Sequence, residues 1–139
     1  MAIVFAPVSG CGVSAAAMQA DLALSILHLF KATFVPNPSN VLADYTAAEA
    51  DYDTYAPITI TAWDNPILAP GSGYMILSGL QQFEVGAADP VVGNVIGGCY
   101  LVDAAGKIRQ TVIFDAPVPM QFAGQGIPIT LTILFPTGV

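Results

Sequence analysis

Polar and apolar residues alternate with a period of two through several short segments of this chain. In residues 58–63, Ile58 and Ile60 fall on one side and Thr59 and Thr61 on the other. Residues 129–135 repeat the pattern, with Ile129, Leu131, Ile133 and Phe135 on one side and Thr130 and Thr132 on the other. Alternation of this kind predicts half-buried β-strands. The clearest hairpin joins Asn94–Val102 to a second strand over 107–114 through Asp103-Ala104-Ala105-Gly106. That second strand is expected to place Lys107, Arg109 and Thr111 on one face and Ile108, Val112 and Phe114 on the other, while Gly106 supplies the left-handed residue that closes the turn.

Two helical segments interrupt this pattern. Ser14 caps a predicted helix reaching to about Ile26, in which Ala15, Ala16 and Ala17 favour helix and Met18, Leu22 and Ile26 share a face. Residues 27–31 then alternate as a strand. A short helical turn is predicted over 46–51, where Thr46 and Glu49 have the spacing of a capping box. Pro57 returns the chain to extended geometry. Turn signals recur between the apolar segments, at residues 36–40, 64–66, 70–73, 86–90, 103–106 and 124–126. Many short strands at such spacing predict an all-β fold, an antiparallel sandwich or jelly-roll-like barrel with one short N-terminal helix. Residues 1–12 form an N-terminal arm in this reading, since Ile3, Val4 and Phe5 are apolar yet precede the domain over 13–139.

Composition changes what such a domain is expected to do. Only 9% of the chain is charged and 55% is hydrophobic, against about 25% charged in an ordinary soluble domain. The longest apolar runs, over 22–30 and 127–135, are interrupted and too short for the ~20 residues of a membrane helix. A surface so poor in charge is expected to be covered by other copies or by partners. The net charge of -7 leaves Lys31, Lys107 and Arg109 against 10 acids, too few cations to neutralise a phosphate backbone, so nucleic-acid binding is excluded as a function class. Val8-Ser9-Gly10-Cys11 has the look of a lipoprotein cleavage box, but no Lys or Arg precedes residue 31 and Pro7, Gly10 and Gly12 break the segment, so secretion by that route is not expected. Cys11 and Cys99 pair only if the N-terminal segment lies against the strand carrying Cys99. Their spacing fits neither a metal site nor a redox Cys-x-x-Cys, and two free, buried thiols are the expectation.

Candidate chemistry is sparse. His28 is the single histidine, and no nucleophile elbow accompanies it, so no catalytic residue is assigned. Asp44, Glu49, Asp51 and Asp53 are the densest acids, but no glycine turns the loop and no distal Glu completes a calcium set; no metal or other cofactor is assigned. Tyr55, Trp63 and Tyr74 are candidates for stacking on a glycan, the use that aromatic rings with polar tips share with protein interfaces.

The segment 29–36, then Val41-Leu42-Ala43-Asp44-Tyr45-Thr46 to Tyr52, then Tyr55-Ala56, with Phe114-Asp115-Ala116-Pro117-Val118-Pro119-Met120 ahead of a closing strand, resembles a group of small β-rich structural proteins of bacteriophage virions. The resemblance covers roughly residues 27–135. It implies a non-enzymatic virion subunit, such as a capsid decoration, minor capsid, tail or fibre protein, that self-assembles and docks on capsid or tail. Homo-oligomers (trimers or pentamers) and other virion structural proteins are the expected partners, and the virion, assembled in the host cytoplasm, is the expected location. The acidic balance places the subunit away from packaged genome. Interface candidates are Ile3, Val4, Phe5, Pro117, Val118, Pro119 and Met120. The alternative is a small glycan- or receptor-binding module at a virion tip or cell surface.

Overall fold

The computed structural model describes residues 2–4, 20, 22–64, 67–69, 73–86 and 93–135. Among these residues eight strands form two antiparallel sheets: β1 (Ala2–Val4), β2 (Ser25–Lys31), β3 (Ile58–Ile60), β4 (Ile67–Ala69), β5 (Gly73–Glu84), β6 (Asn94–Val102), β7 (Ile108–Met120) and β8 (Gly126–Phe135). The five-stranded sheet runs β1-β7-β6-β2-β3 and the three-stranded sheet β4-β5-β8. The sheets share no ladder among the described residues, so the architecture is the sandwich of the two expected forms. Leu27, Leu29, Ile96, Cys99, Leu101 and Val112 from the large sheet meet Ile76, Phe83, Ile129, Leu131 and Ile133 from the small one in a single buried cluster. Apolar alternation in both sheets thus does what it predicts, because each inner face has the other to bury against.

The β6–β7 hairpin forms where the sequence places it. Gly106 takes the left-handed φ of 84°, and the buried Asp103 carboxylate accepts the Ala105 and Lys107 N–H groups, each at 2.9 Å, and Arg109 Nε at 2.6 Å. The expected faces need one correction. Val102 pairs with Ile108 but Leu101 with Gln110, an irregularity that takes up one extra residue. Ile108 therefore joins Tyr100 and Val102 on the outer face rather than Val112 on the inner one.

Strand β5 turns over at a similar point. Leu77 pairs with Thr132 and Leu80 with Thr130, so Ser78 and Gly79 together oppose Leu131. Gly79 has a φ of 70°, and the Ser78 hydroxyl accepts the Leu131 N–H at 2.9 Å where the ladder is broken. This bulge allows Ile76 and Phe83, seven positions apart, both to face the core.

Both helix expectations shift. Residues 14–19 lie outside the described residues, but the helix does not reach Ile26: Leu24 has a left-handed φ of 61°, and Ser25–Lys31 is already a strand between β3 and β6. The spacing of Leu22 and Ile26 suited a helix, yet Ile26 is tied into ladders on both sides. The second helix, α1 (Leu42–Ala47), begins four residues earlier than the predicted turn. Asp44, not Glu49, supplies its N-terminal carboxylate and accepts the Val41 N–H at 2.9 Å. Thr46 lies inside the helix and donates to the Leu42 carbonyl, while Glu49 is extended and bridges to Phe30.

Residues 32–49 wrap the outer side of the large sheet, and the chain then turns inward, so that Ala50 and Tyr52 join the main core. Phe30, Tyr45, Tyr100 and Val102 form a second buried cluster there, with Phe34, Leu42 and Ile108 packed on it. Gly98 makes room for this layer, since a Cβ at that position would overlap the Phe30 ring and the Val112 carbonyl.

Candidate functional site

The densest polar arrangement lies under that wrapping. His28 on β2 and Tyr100 on β6 are register partners, and their rings stack at 4.8 Å. Glu49 comes down from the wrapping segment. Its Oε1 accepts the Tyr100 hydroxyl at 2.9 Å and lies 2.9 Å from His28 Nδ1. The second contact lacks hydrogen-bond geometry, so Nδ1 is buried beside the carboxylate and makes no hydrogen bond. Burial alone would raise the Glu49 carboxyl; the contacts from His28 and Tyr100 outweigh it and hold the group below its usual value. Tyr45 reaches through the same layer, its hydroxyl 3.0 Å from Thr111 Oγ1.

Chemically, this cluster is a fastening. The Tyr100 phenol is pushed up by burial and by the Glu49 carboxylate, which keeps it a donor. Burial likewise raises the Cys99 thiol to about 12, so at neutral pH it is a protonated core side chain and not a thiolate nucleophile. The acids considered for a cation diverge. Asp44 serves α1, Glu49 faces Tyr100, and Asp51 meets Lys31 at 3.1 Å and Asn94 at 2.9 Å. Among the described residues, no three His, Cys, Asp or Glu side chains gather as a metal would need.

Tyr55 and Trp63, of the three aromatic candidates, have their polar tips turned inward. The Tyr55 hydroxyl accepts the Leu29 N–H at 3.1 Å and its ring stacks on Phe83. Trp63 Nε1 donates to the Leu22 carbonyl at 2.9 Å. Both pack against the main core. The Tyr74 backbone belongs to β5, and its side chain lies outside the described residues.

The interface candidates divide. Ile3 and Val4 form β1 and pair with Val112 and Thr111 of their own chain; Phe5, like Cys11, lies outside the described residues. Met120 is fully buried and Val118 packs on the core, whereas Pro117 and Pro119 are exposed. The segment carrying them bulges: Ile96 pairs with Val118 but Gly98 with Ile113. Beside that bulge, Phe114, Asp115, Val118, Ile127 and Pro128 line an open hollow of about 250 Å³. A second hollow, about 460 Å³, lies by α1 between Lys31, Phe34, Asn40 and Asp44. Neither includes His28 or Glu49.

What sequence reasoning missed is the Glu49–His28–Tyr100 group. Glu49 has the spacing of a helix-capping acid and His28 the look of an isolated strand residue, and no spacing rule joins positions so far apart. No helix among the described residues is long and apolar enough to cross a membrane. Comparisons with protein-family models, curated proteins and solved structures return no match.

Proposed function

We propose that this chain is a non-enzymatic structural subunit of a bacteriophage particle, which self-assembles and docks on the capsid or tail. The observation that carries the reading is the surface. Leu24, Val35, Val41, Leu80 and Phe122 each expose more than half of their area on a chain of which only 9% is charged. Lys31 and Arg109 are engaged with Asp51 and Asp103 of the same chain. Such a surface suits contact with other protein better than contact with polyanions. The polar chemistry supports the same reading, since the Glu49 group joins two layers and neither described hollow includes it.

Quantitative mass spectrometry of particles purified from cells that carry this gene tests the proposal. The chain is expected in the particle fraction in many copies. Its absence from intact particles, with the protein recovered only in the soluble lysate, rejects the proposal.

A further inference from the structure

Lys31, Asp51 and Asn94 converge where β2 ends and β6 begins. Lys31 closes β2 and pairs with Ile96. Asn94 opens β6 two positions before Ile96, so it is a diagonal neighbour of Lys31 on the same face. The backbone around them is held on both sides, the Lys31 N–H donating to the Ala48 carbonyl and the Ala32 N–H to the Val95 carbonyl. One atom, Asp51 Oδ1, meets both side chains: it lies 3.1 Å from Lys31 Nζ and accepts Asn94 Nδ2 at 2.9 Å. We propose that these three residues form a self-linking site, at which Lys31 and Asn94 join in an isopeptide bond between β2 and β6 with release of ammonia.

The contacts assign the roles. The Asn94 carboxamide is the electrophile. Its Oδ1 accepts the Asp51 N–H at 2.7 Å, a donor already in place for the charge that develops on that oxygen during attack. Its Nδ2, the leaving nitrogen, donates to the Asp51 carboxylate and to the Gly93 carbonyl at 2.9 Å. Asn94 is buried, so packing fixes the plane of the amide. Lys31 brings the nucleophile on a flexible stem. Asp51 is held below the usual carboxyl range by Asn94 and then by Lys31, and as a carboxylate it can receive a proton. An ion pair alone accounts for one of these contacts. An amide gripped at both ends by the residue that also holds the amine is the arrangement that acyl transfer needs.

In the reaction the Lys31 ammonium gives one proton to Asp51, and Nζ, now a free amine, adds to Asn94 Cγ. A tetrahedral carbon results, with its negative charge on Oδ1 facing the Asp51 N–H. Asp51 passes the proton on to Nδ2, the Cγ–Nδ2 bond breaks, and the second proton shed by Nζ follows. One amide opens, one amide forms and one ammonium ion leaves, so the exchange balances without a further reactant.

Orientation supplies the rate, because groups held in place react as if highly concentrated. Water opposes it. Lys31 and Asp51 leave 33% and 63% of their side chains accessible, which favours the ionised forms of both. The bond is therefore expected over hours to days, after folding and not during it. The product closes a long loop of chain and constrains the unfolded state as a disulfide does.

Intact-mass spectrometry of the full chain, freshly purified and again after a week at body temperature, is the test. The mass is expected to fall by one ammonia as the sample ages. Trypsin does not cut after an acylated lysine, and no Lys or Arg precedes Lys31 while Lys107 is the next. The tryptic peptide 1–31 should therefore give way to 1–107, with tandem spectra placing the bond between Lys31 and Asn94. Lys31→Arg keeps the positive charge beside Asp51 and is expected to keep its full mass. Asp51→Asn should link on the order of a hundredfold more slowly, the usual contribution of a positioned acid–base group. Circular dichroism melts verify that both variants fold. A parent chain still at full mass and still cut after Lys31 overturns the proposal. So does equal loss of ammonia from Lys31→Arg, the mark of an imide at an asparagine, or an Asp51→Asn variant that links at the parent's rate. None of these outcomes depends on whether the chain enters a particle.

Discussion

The Tyr100 hydroxyl donates to Glu49 Oε1 across 2.9 Å, joining residues 51 positions apart in sequence. This bond fastens the wrapping segment to the middle strand of the large sheet. Because a charged acceptor strengthens it, Tyr100→Phe is expected to cost about 1–2 kcal/mol in urea denaturation. Hydrogen exchange should rise first in residues 42–50. A loss spread evenly over both sheets would show that the bond does not hold that segment in particular.

Stability should fall at both ends of the pH scale. Glu49 is held below its ordinary value by His28 and Tyr100 against the opposing effect of burial. Asp103 is held down by the Lys107 N–H and Arg109, again against burial. The unfolded chain takes up these protons at higher pH than the folded one, so their contribution is complete above about pH 5 and is lost as pH falls through the folded values. At the alkaline end the sign reverses. The Cys99 thiol is raised to about 12 by burial, so its contribution is present below the ordinary thiol value near ~8.5 and is lost as pH rises toward 12. Calorimetric melts should show a plateau between these limits, and Tm unchanged down to pH 3 would contradict it.

Two glycines should respond in opposite proportion to their surroundings. Gly98→Ala drives a methyl group into the Phe30 ring and the Val112 carbonyl and is expected to cost about 3 kcal/mol or to prevent folding. Gly79→Ala has open space around it and only a left-handed φ against it, a penalty of about 1–2 kcal/mol. Denaturation midpoints of the two variants give the order directly.

Pro128→Thr restores an N–H on the side of β8 turned away from β5, where no strand pairs among the described residues. Stability should change by less than ~1 kcal/mol, since Pro128 is exposed, while aggregation during slow heating should increase because the edge can accept another strand. Turbidity measured beside the melt separates the two effects.

Removing the Asp103 carboxylate takes away the acceptor of two N–H groups and one guanidinium at once. Asp103→Ala is expected to cost about 3 kcal/mol, because Arg109 and the turn amides lose a buried partner together. Asp103→Asn, which keeps one acceptor oxygen, should cost less in the same assay.

Local chemistry made much of the framework legible. Gly106 and the Asp103 turn fixed the β6–β7 hairpin, and the Ile129, Leu131 and Ile133 alternation identified β8 and its inner face. Legibility stopped wherever the outcome depended on a distant partner. The Leu22–Ile26 spacing suits a helix until β3 and β6 claim Ser25–Lys31 from both sides. Ile108 changes face because of an irregularity that neither strand announces alone. Met120 stands among prolines like a contact residue, yet the core takes it, while Val118 packs on the core and stays partly exposed. The Glu49–Tyr100 bond was invisible for the same reason: either residue alone is an ordinary surface acid or strand phenol.

The sequence separations across the wrapping layer also have a kinetic consequence. Phe30, Tyr45 and Glu49 leave the ribosome long before Tyr100 and Thr111, their partners on β6 and β7. Until that hairpin arrives, the early aromatic rings have no platform. Closing loops of such length before any contact rewards it is slow, so the nascent chain passes through a period in which these rings are unsheltered. The rate at which β6 and β7 close therefore governs how long each new molecule is vulnerable to its neighbours.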